Sequence, residues 1–243
     1  MPHLKILSLL AALAVLPAGA ALGDALVIPP ANYPPLASQA AAPEGFVPPG
    51  WRLEQSRRGD LTGDGIEDVA FVLRQVEPAN ILANPGLGAR RFDTNPRILV
   101  VAFGRADHSG FDLALRNTTL IPRRENPTLE DPLANDAIAI ASGALRIRLR
   151  LASSAGSWET ASTTYTFQHR DGELRMVGYD RSTTMRNTGE TKAISINYLT
   201  GRVKRTTGRI ESDEVATRWS ALRNRSLPTI ESIGDGLAFE PAV

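Results

Sequence analysis

"ALRIRLRLAS", residues 144–153, decides the fold class. Leu145, Ile147, Leu149 and Leu151 alternate with Arg146, Arg148 and Arg150. A period of two puts the leucines and isoleucine on one side of an extended chain and the arginines on the other. That is a strand half buried against a core; a helix would scatter both residue types around its surface.

The neighbouring segments carry the same signal. "AIAIASG" (137–143) and "FDLALRN" (111–117) alternate, and "ILVVAFG" (98–104) is a continuous apolar run stopped by glycine. "SWETASTTYTFQHR" (157–170) is rich in Thr and aromatic residues, which suit a pleated surface. Asp171-Gly172 then makes a hairpin turn into "LRMVGYD" (174–180). "KAISINYL", "TG" and "RVKRTTGRI" form a further hairpin over 192–210. About eight to ten strands with short connections predict a mainly β protein, an antiparallel sheet or sandwich-like domain over residues 51–243. One C-terminal helix is expected at 212–223. There Ser212 is placed to cap, acids follow it, and Val215, Trp219 and Leu222 share a helical face.

The chain ends set the context. Residues 1–20 have a short basic start, the apolar run "ILSLLAALAVLPAGA", and small residues Ala18 and Ala20. This is the pattern of a signal peptide cleaved after Ala20, too short to span a bilayer, so a bacterial periplasmic or secreted location is expected. No membrane span is expected after cleavage. Residues 21–50 are rich in Ala and Pro, and predict a tether or strap of extended chain, with disorder favoured. The absence of cysteine excludes disulfides, thiol catalysis and Cys-ligated zinc. The chain has 27 basic and 26 acidic residues, and losing Lys5 with the signal leaves 26 of each. A neutral mature chain gives no general attraction for nucleic acid.

One loop has the chemistry of a metal site. In "GDLTGDGIEDVAFVL" (59–73), Asp60, Thr62, Asp64, Ile66 and Asp68 occupy alternate positions, with Gly65 sixth from Asp60. Calcium takes six to eight oxygens, and such a loop offers carboxylates, a hydroxyl and the Ile66 carbonyl. Position twelve is Phe71, so the bidentate glutamate of an EF-hand is missing, and a strand follows in place of a helix. The alternative is an Asp-Gly turn whose carboxylates cap backbone amides. Crowded carboxylates without a cation repel, which weighs against a bare turn.

The loop resembles the calcium loops of FG-GAP and VCBS type repeats in exported proteins. More widely, "PPGWRLEQSRRGDLTGDGIEDVAFVL", "GSWETASTTYTFQHRDGELRMVGYDRST" and "SINYLTG" resemble a group of bacterial exported proteins in which a GDLNxDGxxD loop precedes a β domain. The resemblance implies ligand roles for Asp60, Thr62, Asp64, the Ile66 carbonyl and Asp68, and a structural calcium ion. Thr62 departs from the usual Asp or Asn at its position. Only one such loop is present, which argues against a propeller.

Three other features carry chemistry. Arg146, Arg148 and Arg150 stand about 7 Å apart along one strand face, a ladder able to meet an anionic ligand or to pair with Glu159 or Asp171. His108 and His169, with loops 104–111 and 121–136, are the candidates for a hydrolase site, although no G-x-S-x-G or H-E-x-x-H is present. Glu130 and Asp131 are paired acids of the glycosidase type, but adjacent residues on a loop or strand point apart. The expected role is a non-catalytic binding or envelope-associated module, with a periplasmic hydrolase as the alternative.

Overall fold

A computed structural model describes residues 26–134 and 136–243; the proposed signal, 1–20, lies outside them. The chain runs β1 (Gln39–Ala40), β2 (Trp51–Gly59), β3 (Asp68–Gln75), β4 (Ile81–Ala83), β5 (Arg91–Asp93), β6 (Arg97–Gly104) and β7 (Phe111–Asn117). It continues as β8 (Ile138–Ala141), β9 (Ala144–Leu151), β10 (Glu159–Arg170), β11 (Glu173–Met185), β12 (Glu190–Asn197), β13 (Arg202–Arg209), β14 (Val215–Ala221) and the short helix α1 (Ile230–Ile233). The protein is mainly β, with every strand pair antiparallel.

Two sheets carry the architecture. A five-stranded sheet has the order β1-β7-β6-β3-β2, and a seven-stranded sheet runs β14-β13-β12-β11-β10-β9-β8. The alternation in β9 works as its residues dictate: Leu145, Ile147 and Leu149 are fully buried while the three arginines are exposed. These apolar side chains meet Ala70, Val72, Leu99 and Val101 of the other sheet in one core, together with Tyr165, Phe167 and Tyr179. Tyr165 donates its hydroxyl to the Gly236 carbonyl at 2.6 Å, so this buried polar group is satisfied and fixes the C-terminal tail.

The continuous apolar runs of β3 and β6 are explained by burial on both faces. Their second face, with Val69, Phe71, Leu73, Ile98 and Val100, is covered by Tyr33, Leu36 and Phe46, with Trp51 of β2 in the same cluster. Residues 26–50 are therefore a strap, and the favoured expectation of disorder is corrected. Its hold is partly backbone: β1 pairs with β7, Leu113 N donates to Ser38 O at 2.8 Å, and Arg123 Nη1 donates to Pro29 O at 2.6 Å. Prolines withhold donors, so arginines from the sheet and its loops satisfy the strap's carbonyls.

The helix expected at 212–223 is also corrected. Residues Val215–Ala221 form β14, paired without a break from Gly208↔Val215 to Arg202↔Ala221. The spacing of Val215 and Trp219 fits a helix, but β-branched Val215 and Thr217 suit a strand, and β13 supplies an edge to pair with. Ser212 does cap a backbone amide, that of Glu214 at 3.1 Å, inside the turn entering the strand. Among the described residues the one α-helix lies nearer the C-terminus, where Thr229 Oγ1 accepts from Ser232 N.

Candidate functional site

The aspartate loop joins β2 to β3, and each of its three aspartates caps backbone, while Glu67 faces Arg58 at 3.4 Å. Asp60 accepts from Gly63 N at 2.6 Å and Gly65 N at 2.9 Å. These amides hold its carboxyl below its ordinary value. Asp64 accepts from Ile66 N at 2.8 Å. Gly63 and Gly65 have φ of 82° and 83°, a region closed to most side chains, which lets the loop fold back on Asp60. Asp68 is fully buried and takes three amides: Leu61 N and Thr62 N on one oxygen, and Gly104 N on the other at 2.9 Å. It thereby ties the loop to the end of β6, with its charge compensated by three N–H dipoles.

The turn chemistry is thus present in full. Among the described residues no group of three or more acids or imidazoles is arranged to hold a metal. Asp60, Thr62 and Asp64 still fit a hard cation in kind. They are oxygen donors near the surface, and a carboxylate oxygen that accepts one N–H keeps a second lone pair. The loop sends Asp68 inward, away from that exposed set.

The arginine ladder lies on the outer face of the seven-stranded sheet. Register places three rows across it. Arg148, Thr164, Asp180, Ser195, Lys204 and Trp219 form the middle row. Arg150, Ser162, Ser182, Ala193, Thr206 and Thr217 lie on one side of it, and Arg146, Thr166, Gly178, Asn197, Arg202 and Ala221 on the other. Across these rows five cations face a single carboxylate, Asp180. No ion pair or side-chain hydrogen bond engages Arg146, Arg148 or Arg150 among the described residues, and Glu159 pairs with Arg181 at 3.2 Å. Between the ladder and Lys204 the sheet curves into an open trough of about 220 Å³ lined by Ser162, Thr164, Asp180, Ser182, Ser195 and Lys204. Trp219 stands beyond Lys204 in the middle row, with the Arg202 guanidinium 4.3 Å from its ring centre.

The Ser/Thr row and Trp219 were not identified as site residues from the sequence. Their alternation within 159–170 marks a strand, but which strands lie beside it is settled by register.

Neither His108 nor His169 is bonded to a nucleophile among the described residues. His169 packs edge-on to Phe103 at 5.0 Å, and Ser109 Oγ donates to Asp107. No imidazole is hydrogen-bonded to a hydroxyl among the described residues. Asp131 binds Arg97 through two bonds, Nη1 at 2.9 Å and Nη2 at 2.8 Å. Burial would raise its carboxyl, but Arg97 outweighs that and holds it below its ordinary value. A carboxylate so fixed is a poor proton donor. Loop 121–136 does border a cavity of about 320 Å³ beside Arg124, Leu129, Pro132 and Leu237. No family model, characterised protein sequence or solved structure matches the chain.

Proposed function

We propose that the protein is an exported binding module without catalysis, whose outer sheet face takes an extended acidic polymer of the cell envelope. The carrying observation is the unpaired Arg146, Arg148 and Arg150 ladder beside a row of Ser and Thr hydroxyls. Guanidinium groups bind carboxylate or phosphate groups as bidentate forks. The hydroxyls give and accept hydrogen bonds, which suits the polar backbone of a glycan. The face spans about 24 Å from β9 to β14, from five strand spacings of about 4.8 Å, so it fits a chain better than a small molecule.

Export rests on the pattern of residues 1–20. Asp60, Thr62, Asp64 and the Ile66 carbonyl are the donors offered to calcium, with Asp68 bracing the loop from behind. The ion would neutralise the exposed carboxylates and stiffen the entry to β3.

Binding to polygalacturonate, with neutral dextran as the control, tests the polymer reading. Affinity should fall steeply with salt, and replacing all three arginines by Gln should weaken it at least about tenfold. Equal binding by the triple variant, or binding indifferent to salt, would remove the proposal.

A further inference from the structure

We propose that β14 is a dimerisation edge. A second copy of this chain adds its own β14 antiparallel, in the register that sets Trp219 opposite its twin. Independent observations converge on this strand.

The first is that the other edges are short or covered. At the far end of the same sheet, β8 lies against β2. Gln55 Nε2 donates to Ala134 O at 2.9 Å, and a Cβ on Gly59 would come within 2.6 Å of Ile140 Cγ2. The five-stranded sheet ends on β1, which is two residues long. β14 is seven residues long, all exposed, and open on one side. It has no proline and no bulge against β13. A long, regular, uncovered edge is a template for another strand, and proteins that stay monomeric usually blunt it.

The second observation is charge polarity. Asp213 and Glu214 precede the strand, while Arg223 and Arg225 follow it, and all four are exposed. Antiparallel pairing about Trp219 brings the acidic end of each copy against the basic end of the other. Parallel pairing would set acid on acid. The only charge inside the strand, Arg218, then faces Ser220 of the other copy.

The third is Trp219 itself, 53% exposed on the outer face. A two-fold axis perpendicular to the sheet keeps both outer faces on one side. The twin indoles would stand side by side, flanked by Arg202 and Lys204 of each copy. Seven strands from each copy would make one continuous sheet. This inference does not depend on the polymer reading.

The chain has no cysteine, so single thiols can be placed cleanly. Directly opposed residues in an antiparallel pair have Cα atoms about 4.5–5.5 Å apart, within reach of a disulfide. Oxidation of Trp219→Cys should therefore give a covalent dimer. Val215→Cys should not, because its twin would be eight residues out of step, about 27 Å away. Sedimentation of the unaltered chain should show dimer forming between about 1 and about 100 μM. A chain with Asp213→Lys and Glu214→Lys, and one with Arg223→Glu and Arg225→Glu, should each dimerise at least tenfold more weakly. Mixed together, they should recover the affinity. A monomer throughout that concentration range, equal cross-linking at both thiols, or no recovery on mixing would overturn the proposal.

Discussion

β3 and β14 are both regular antiparallel strands, yet they share almost nothing in their surroundings. From Asp68 to Leu73 every residue of β3 is buried, whereas no residue of β14 is. β3 has a sheet on one face and the strap on the other. β14 hangs at the end of a sheet that has outgrown its partner. The stability of the fold should therefore be concentrated around β3 and β6, while the far strands of the seven-stranded sheet offer surface.

The largest effect should come from the ion cluster at the start of β6. Arg97, nearly fully buried, bonds Glu54 through Nε at 2.6 Å and Asp131 through both Nη atoms, and Arg74 joins Glu54 at 3.0 Å. Arg97→Ala takes away both bonds to Asp131 and leaves Glu54 with Arg74 alone, and should cost about 4 kcal/mol in a denaturant titration. It should also change the acid limb. Burial tends to raise Glu54 and Asp131, but Arg97 holds both below their ordinary values of 4.5 and 3.8. Depressed folded values mean stabilisation that is complete above the ordinary values and lost as pH falls through the folded ones. The unaltered chain should thus lose stability steeply below about pH 4.5, and Arg97→Ala should be flatter there. An unchanged acid limb would show that the cluster is not coupled to folding.

Next comes the strap. Phe46 is buried, with its ring 5.7 Å from that of Phe71. Phe46→Ala should cost about 3 kcal/mol, whereas Thr217→Ala in β14, in dilute solution, should cost less than about 0.5 kcal/mol. Equal costs would erase the contrast between the two strands.

The smallest effect concerns the loop that launches β3. Calcium at about 5 mM, against a dissociation constant near 1 mM, should add about 1 kcal/mol and raise the melting temperature by roughly 2–4 °C over chelator. Asp60→Ala should abolish the rise. No rise in the unaltered chain would leave the loop as a capped turn alone.

Period two was legible wherever one face is wet and the other dry, as in β9 and β10. The double burial of β3 and β6 was not, because an apolar run does not say what covers it. The strap that covers them looks like a disordered tether, since its prolines hide the few residues that matter: Tyr33, Leu36 and Phe46. At 212–223 the mistake had a different cause. Acids after a serine fit a helix start, and only the partner β13 decides for a strand. Within the aspartate loop the spacing was plain from the residues. The inward turn of Asp68 was not, because it depends on Gly104, thirty-six positions further along.

The strap has a consequence for the order in which the chain is made. Its apolar residues emerge first, but their binding surface is completed by β6, β7 and Arg123, which emerge last of that half. A chain growing from its N-terminus must leave Tyr33, Leu36 and Phe46 uncovered until then. Docking the strap is the slow, long-range closure that finishes this sheet, and a helper holding the nascent chain would find its grip there.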